Sequence, residues 1–305
     1  MKAVRIIEWG QPVQIEDVPQ PAPGSDEVLV RVRAAALNPF DLAVVAGYVQ
    51  SMLNTPMTPG TDLAGEVVEV GADVTDLKPG DEVFGYIPMR GGAFAEYAIA
   101  KPNELTLKPR SLDYVQAASV PLTSLTAWQS LFDVAQLQSG ERLLIHGAGG
   151  AVGSFGAQFA REKGAYVIGT ASAEKAPIVQ EAGVDQYINY QEERFEDVVS
   201  DVDVVLITAR SEDLVTRSFD VMKPGGRLVA SSLNPSAEEA EARGLRASGI
   251  MSQPNPDQLT TIAEMIDAGK IKVFVDHTFP LDEAQAAYDL LQTGKNVGKV
   301  VLTVG

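Results

Sequence analysis

The chain has 305 residues, with 24 Lys and Arg against 41 Asp and Glu, two His and no Cys. The absence of Cys excludes disulfides, a thiolate nucleophile and Cys-bound zinc or iron–sulfur clusters, and the net charge of −17 makes nucleic acids and anionic membranes poor partners. At about 150 residues per domain the length suggests two domains, and neither a membrane span nor a secretory signal is visible, so a cytoplasmic protein is expected.

The first part of the chain consists of short apolar runs separated by Pro and Gly, which predicts a compact β domain. The predicted strands include Val28–Val32, Glu66–Val70 and Glu82–Tyr86. One helix is predicted to begin near Asn38, because Asn caps helices well, proline suits the first helical position and Asp41 complements the helix dipole.

From about Asp113 the pattern changes to apolar strands that alternate with helices. The predicted strands are Leu143–Ile145, Tyr166–Gly169, Gln186–Ile188, Asp203–Ile207 and Arg227–Ala230. This alternation predicts an α/β fold with a doubly wound parallel sheet and helices on both faces. The end of the chain returns to a mixed pattern, with helices predicted over Asp257–Ala268 and Leu281–Gln292.

A glycine-rich turn follows the first of these strands and is the strongest signal in the sequence. Its glycines read G-x-x-G-x-x-G, with one additional glycine inside the motif. Glycine permits positive φ and close approach to a pyrophosphate, and the N–H groups at a helix start bind phosphate charge. We therefore predict a dinucleotide site, the alternative being a purely structural turn. The residues predicted to bind are Gly147, Gly149, Gly150, Ala151, Val152 and Gly153.

The end of the second strand discriminates between the two nicotinamide dinucleotides. NAD sites place an acid there, about 20 residues after the glycines, to bind the ribose hydroxyls. This chain has Thr170 and Ser172 at the strand end, with Lys175 just beyond. Two hydroxyls and a positive charge suit a 2′-phosphate, so NADPH is predicted in preference to NADH. The alternative is that Ser172 only caps the next helix and that Lys175 is solvated.

Several segments resemble the medium-chain dehydrogenase/reductase superfamily, in particular its zinc-independent, zeta-crystallin-like quinone oxidoreductase branch. Besides the glycine turn they are Asn38–Asp41, Pro59–Gly65, Gly91–Tyr97, Ile188–Tyr190 and Gly298–Leu302. The resemblance implies a GroES-like catalytic domain from residues 1–116 and 262–305, and a Rossmann NADPH-binding domain over residues 117–261. The zinc-dependent branch has Cys and His-Glu where this chain has Asn38 and Thr61-Asp62, so no zinc is expected.

The resemblance also implies roles for individual residues. Lys175 would bind the 2′-phosphate, Tyr190 would flank the adenosine end and Thr126 would lie beside the nicotinamide. Ala151 departs from the glycine that the family usually has there. His146, on the strand before the glycines, is expected to be structural.

In the catalytic domain, Asn38 and Asp41 would line the substrate cleft, and Tyr48 stands near a position where relatives often have Tyr. Asn38, Tyr48 and Thr126 are the candidate hydrogen-bond donors to an oxygen that gains negative charge. Each has another interpretation. Asn38 and Asp41 could serve only the helix start, Tyr48 could be a surface aromatic, and Thr126 could bond its own helix.

The predicted function is hydride transfer from NADPH to a quinone or an α,β-unsaturated carbonyl. An enoyl-thioester reductase is the enzymatic alternative, although the acidic charge makes CoA or carrier phosphates less suitable ligands. An NADPH-binding sensor or interaction protein with little turnover is the alternative from another class. By resemblance, a homodimer is expected through an edge strand near Arg246–Met251.

Overall fold

The computed structural model describes residues 1–88, 91–211 and 213–305, and these form two units. The first unit contains residues 1–122, 254–269 and 273–305, and the second contains residues 123–253 and 270–272. The sequence suggests boundaries after residues 116 and 261, whereas the two units divide after residues 122 and 253, six and eight residues away. Each unit is built around a sheet of its own.

The helices and strands are numbered in chain order. The N-terminal part contains β1 (Lys2–Arg5), β2 (Gln14–Asp17), β3 (Val28–Ala36), α1 (Pro39–Val45), β4 (Asp62–Val70), β5 (Glu82–Tyr86), β6 (Tyr97–Ala100), β7 (Leu105–Leu107), α2 (Tyr114–Ala118) and α3 (Pro121–Trp128). The middle contains β8 (Arg142–His146), α4 (Ala151–Lys163), β9 (Tyr166–Ala171), α5 (Ala176–Glu181), β10 (Gln186–Asn189), β11 (Val202–Ile207), α6 (Asp213–Phe219), β12 (Met222–Ala230), α7 (Ala237–Ala242) and β13 (Arg246–Gly249). The C-terminal part contains α8 (Pro256–Asp267), β14 (Val275–Pro280), α9 (Ala284–Thr293) and β15 (Lys299–Thr303).

The first unit is organised around the long strand β3. Its sheet has the order β14-β15-β3-β4-β5-β7, and β6 pairs with β3 as well. Seven of the nine residues of β3 are buried, because the strand lies centrally and is apolar at every position except Arg31 and Arg33. Ala36, at the end of β3, is opposite Asp62 of β4 and Val301 of β15. The residue positions just after β3 and at the starts of β4 and β15 are therefore brought together.

The second unit contains a sheet of six parallel strands in the order β10-β9-β8-β11-β12-β13. This order confirms the predicted doubly wound α/β fold. The strand order reverses beside β8, which pairs with β9 on one side and β11 on the other. Ligands of such sheets bind beyond the carboxyl ends of the strands at this reversal, and the glycine turn follows β8 at that point.

A helix that crosses a bilayer needs about 20 mostly apolar residues. Over residues 1–88, 91–211 and 213–305, none of the helices combines the length and the apolar composition required to span a membrane.

Candidate active site

The glycine turn between β8 and α4 leaves almost no room for side chains. Gly147 has a φ of +86°, and a Cβ there would lie 2.5 Å from the Thr208 hydroxyl oxygen. A Cβ on Gly153 would lie 2.2 Å from the Gly147 carbonyl oxygen, whereas one on Gly150 would have no atom nearer than 3.3 Å. The first turn of α4 begins after Gly150 and carries no acidic residue. Its first N–H groups have no intrahelical acceptor, so the turn fits a pyrophosphate.

The backbone of the turn is held on both sides by threonines. The Thr170 carbonyl, at the end of β9, accepts hydrogen bonds from the N–H groups of Gly147 (3.1 Å) and Ala148 (3.0 Å). The Thr208 backbone N–H and hydroxyl both donate to the His146 carbonyl at 2.9 Å. The turn is thus clamped between the strands that flank β8 before any ligand binds.

His146 is buried behind the turn between two hydroxyl groups. Its Nε2 is 3.1 Å from the Ser218 oxygen and its Nδ1 is 3.1 Å from the Thr170 hydroxyl. Because Ser218 donates its one hydrogen to the Leu214 carbonyl, the Nε2 atom of His146 must donate and its Nδ1 must accept. The hydroxyl hydrogen of Thr170 is therefore directed to His146. Thr170 supports the turn from behind, and its hydroxyl has no hydrogen left for a cofactor.

Burial makes His146 a source of pH-dependent stability. Burial, and then the positive charge of Arg217, lower the pKa of His146 to about 3, against an ordinary value near 6.5. The unfolded chain therefore takes up the proton first, so this stabilisation is complete above pH 6.5 and is lost as the pH falls toward 3. We expect about 2 kcal/mol to be lost between pH 7.5 and 5.

Urea unfolding of the wild type and of His146→Asn at both pH values would measure this contribution. The wild type should lose about 2 kcal/mol more than the variant, whatever the variant's stability at pH 7.5. Equal losses in the two proteins would show that His146 is not held neutral.

Beside the glycine turn, the end of β9 brings the predicted 2′-phosphate residues together. Lys175 ends a short 3-10 turn after Ser172, and a Cβ on Gly149 would lie 2.5 Å from the Lys175 Cβ. The additional glycine of the motif therefore makes room for the stem of Lys175. Tyr190 is exposed, and its backbone N–H reaches the Ala171 carbonyl at 3.4 Å.

The same turn contains Glu174, which was not among the residues predicted from the sequence. The Ser172 hydroxyl donates a hydrogen bond to the Glu174 carboxylate. This bond, more than the nearby charge of Lys175, lowers the pKa of Glu174. An acid is thus present near the position predicted for the ribose, although it comes from the turn and not from the strand tip.

In the first unit, four buried polar residues form a hydrogen-bonded cluster. Asn38 Nδ2 donates to Asp62 Oδ2 at 2.9 Å, and Asn38 Oδ1 accepts from the Lys299 ammonium at 2.6 Å. Lys299 Nζ is also 3.5 Å from Asp62 Oδ2, and the backbone N–H of Leu122 donates to Asp62 Oδ1 at 2.8 Å. Asp41 accepts from the backbone N–H of Asn38 at 2.7 Å. We call Asn38, Asp41, Asp62 and Lys299 the buried polar cluster.

Burial dominates the proton affinities in the buried polar cluster. It lowers the pKa of Lys299 and raises the pKa of Asp62, and the attraction between the two charges opposes both shifts. Burial also raises the pKa of Asp41 to about 7, opposed first by the hydrogen bond from the Asn38 N–H. Within the described residues the hydroxyl oxygens of Thr61 and Tyr288 are buried and have no hydrogen-bond partner.

The four candidate catalytic residues have different surroundings. Asn38 occupies the N-cap position of α1, but its side chain makes no hydrogen bond to the helix backbone. The side chain bonds to Asp62 and Lys299 instead. Asp41 lies in the same cluster. Tyr48, shortly after α1, is 83% exposed. Thr126 belongs to the second unit, is buried, and donates its hydroxyl hydrogen to Ser252 at 3.0 Å.

Asp62 and Lys299 were not predicted as partners of Asn38. The sequence contains one feature that could have indicated this pairing, the lysine at the start of the apolar strand β15. A charged side chain on a buried strand needs a buried partner.

Comparison with known proteins agrees with this architecture. Residues 24–110 match the family model "Alcohol dehydrogenase GroES-like domain", and residues 182–302 match "Zinc-binding dehydrogenase". The GroES-like domain predicted for the first unit is thereby confirmed.

Three similar proteins cover most or all of the chain. A rat quinone oxidoreductase is 30% identical over 99% of this chain and 97% of its own length. An Arabidopsis thaliana chloroplastic NADPH-dependent alkenal/one oxidoreductase is 35% identical over 91% of this chain and 72% of its own length. The solved quinone oxidoreductase from Coxiella burnetii has a TM-score of 0.94 and 34% identity, and the match covers 100% of this chain and 99% of that one. The chain therefore belongs to the medium-chain dehydrogenase/reductase superfamily, in its quinone oxidoreductase-like branch, and is an oxidoreductase.

Proposed function

We propose that this protein transfers a hydride from NADPH to a quinone or an α,β-unsaturated carbonyl without a zinc ion. The observation that carries the proposal is the glycine turn with Lys175 packed over Gly149, because it joins a pyrophosphate cradle to a cation. The names of the relatives support the same function, since they include a quinone oxidoreductase and an NADPH-dependent alkenal/one oxidoreductase.

The residues of the second unit fit the cofactor. The turn glycines and the first N–H groups of α4, at Ala151, Val152 and Gly153, would hold the pyrophosphate. Ser172, Lys175 and Tyr190 would surround the adenosine ribose and its 2′-phosphate. Bound NADPH would supply the hydride, and the protein's task is then mainly to position the reactants.

The other candidate residues divide into positioning and contacting groups. The amide of Asn38 is engaged by Asp62 and Lys299, so we assign Asn38 and Asp41 to holding the fold around the substrate site. Thr126 donates to Ser252, and its hydroxyl oxygen would orient the nicotinamide by accepting a hydrogen bond. Tyr48 carries an exposed hydroxyl that could donate to the substrate oxygen, with water as the other proton source.

Asn38 and Asp62 stand where the zinc-dependent branch has metal ligands, and their surroundings do not fit a zinc ion. The Asn38 oxygen already accepts from an ammonium, and that ammonium lies 3.5 Å from Asp62 Oδ2. A dication placed there would be repelled by Lys299. Within the described residues, no group of three or more His, Asp or Glu side chains is arranged to hold a metal. These observations support our proposal that the reaction proceeds without zinc.

The first test follows the oxidation of NADPH and NADH by absorbance, with a chelator present, against 9,10-phenanthrenequinone, a simple enone and crotonyl-CoA. We expect turnover with the quinone or the free enone that the chelator does not change. Turnover of crotonyl-CoA alone would favour a thioester reductase. Tight NADPH binding with no turnover of any acceptor would contradict the proposal and favour a sensor.

We also propose a homodimer formed through β13. This strand ends the six-stranded sheet, and within the described residues its only sheet neighbour is β12. An open edge strand is usually covered or paired. Size-exclusion chromatography with light scattering should give twice the chain mass of 32.5 kDa, and a monomer at micromolar concentration would contradict this assignment.

A further inference from the structure

The turn after β9 holds a carboxylate where the proposed cofactor carries its 2′-phosphate. Ser172 precedes the 3-10 turn Ala173–Lys175, and the backbone N–H of Lys175 bonds back to the Ser172 carbonyl at 3.1 Å. Within this turn Glu174 lies between Ser172 and Lys175, whose hydroxyl and ammonium the sequence assigns to the phosphate. The side chain of Glu174 is exposed, so a ligand can reach it.

Both phosphate-binding groups already act on Glu174. The one hydroxyl hydrogen of Ser172 is donated to its carboxylate, and the charge of Lys175 stabilises the ionised form. A 2′-phosphate would have to take both interactions from Glu174. It would also bring about two negative charges close to a third one.

The charge of a second acid, Glu192, also acts beside this turn. The hydroxyl of Tyr187 donates to the Ser172 carbonyl at 3.1 Å, which fixes the tyrosine beside the turn. The pKa of Tyr187 is raised, after burial, by the charges of Glu192 and Glu174. The charges of both carboxylates thus act on a tyrosine beside the turn, and they make the potential there less favourable to a phosphate than Lys175 alone would.

We propose that Glu174 is a specificity-determining residue that weakens the preference for NADPH and lets the protein bind NADH in the same site. Its carboxylate competes with the 2′-phosphate for Ser172 and Lys175, and it accepts a hydrogen bond from the 2′-hydroxyl of NADH. Carboxylates perform this second role in NAD sites generally. The inference rests on the proposed function, because it assumes that the glycine turn binds a nicotinamide dinucleotide.

The test measures dissociation constants for NADPH and NADH by fluorescence titration, with no acceptor present. Glu174→Gln removes the charge and keeps the size of the side chain. We expect its NADPH dissociation constant to fall about three- to tenfold, while that for NADH stays level or rises about threefold. The change for NADPH should shrink as NaCl is raised from about 50 to about 500 mM, because the removed repulsion is screened by salt.

The matched control is Glu238→Gln, which removes the same charge from the exposed start of α7 in the same unit. It should leave the ratio of the two dissociation constants within about twofold of the wild type. An unchanged ratio in Glu174→Gln would overturn the inference while leaving dinucleotide binding intact. If neither dinucleotide binds to the wild type, both the proposed function and this inference fail.

Discussion

Replacing Lys299 with Met should lower the free energy of unfolding by about 3–5 kcal/mol, the largest loss that we expect from a single buried side chain. The change leaves the Asp62 carboxylate with only neutral partners, the Asn38 amide and the Leu122 N–H. It also leaves Asn38 Oδ1 without its donor. Urea unfolding followed by circular dichroism would measure the loss.

The pH dependence of this deficit identifies its cause. Burial already raises the pKa of Asp62, and the charge of Lys299 is the largest influence opposing that rise. In Lys299→Met the folded-state pKa of Asp62 should therefore rise further. A raised carboxylate pKa destabilises the folded state only at pH values where the same carboxyl group is ionised in the unfolded chain. The loss of unfolding free energy in Lys299→Met should therefore be greatest near pH 8 and should shrink as the pH falls toward 5.

Two variants complete the comparison. Adding Asp62→Asn to Lys299→Met should recover about 2 kcal/mol, because it removes the buried charge that has lost its partner. The neutral amide introduced there can accept from the Leu122 N–H and, once the Asn38 amide has turned over, donate to Asn38 Oδ1. Lys270→Met, which breaks an exposed pair with Glu162 at 3.2 Å, should cost less than about 1 kcal/mol. A Lys299→Met protein as stable as Lys270→Met would show that the buried polar cluster carries no ion pair.

Replacing Gly153 with Ala should weaken dinucleotide binding at least about 100-fold and destabilise the second unit by about 1–3 kcal/mol. The added methyl would lie 2.2 Å from the Gly147 carbonyl oxygen and 2.8 Å from the Ala148 Cα. Both neighbours are backbone atoms, so the turn itself must move to accommodate the methyl. The expected effect is opposite in sign to the usual gain from replacing a helical glycine with alanine.

Gly156→Ala is the control for this substitution, one turn further along α4. Its methyl would lie 3.1 Å from Leu206 Cδ2, the end of a side chain that can shift. Its stability should stay within about 1 kcal/mol of the wild type and its NADPH affinity should be unchanged. Titration and urea unfolding of both variants separate the two effects. Wild-type affinity in Gly153→Ala would rule out the turn as the pyrophosphate site.

The parallel sheet was predictable because its four inner strands, β8, β9, β11 and β12, each contain a short apolar run, and such runs follow from local sequence. The two edge strands, β10 and β13, carry a weaker apolar signal. The glycine turn was predictable for the same reason, since its meaning depends only on neighbouring residues. The role of Asn38 could not be predicted from its neighbours in the sequence. Locally it is a good helix cap, but its side-chain partners are Asp62 and Lys299, which lie 24 and 261 residues away along the chain.

Glu174 shows a different limit of sequence reasoning. An acid was expected only at the strand tip, because NAD sites carry it there. The 3-10 turn after Ser172 brings a residue two positions later back to the same place. Whether a short polar segment forms such a turn or enters a helix directly depends on packing against the glycine turn, which the sequence does not display. The sequence also suggested that Thr170 contacts the cofactor directly. Its hydroxyl instead points to His146, and that orientation depends on Ser218, which lies 72 residues from His146 along the chain.

The position of β15 in its sheet has a consequence for how the protein is made. The strand lies between β14 and β3, so the first unit needs a segment that the ribosome adds after residue 298. The second unit is continuous from residue 123 to residue 253 and lacks only residues 270–272 until later in synthesis. Domains generally fold as units while the chain is still growing. The parallel sheet of the second unit should therefore form first. Until β15 is made, the Ala34–Ala36 end of β3 lacks its partner on one edge and is exposed to wrong pairing.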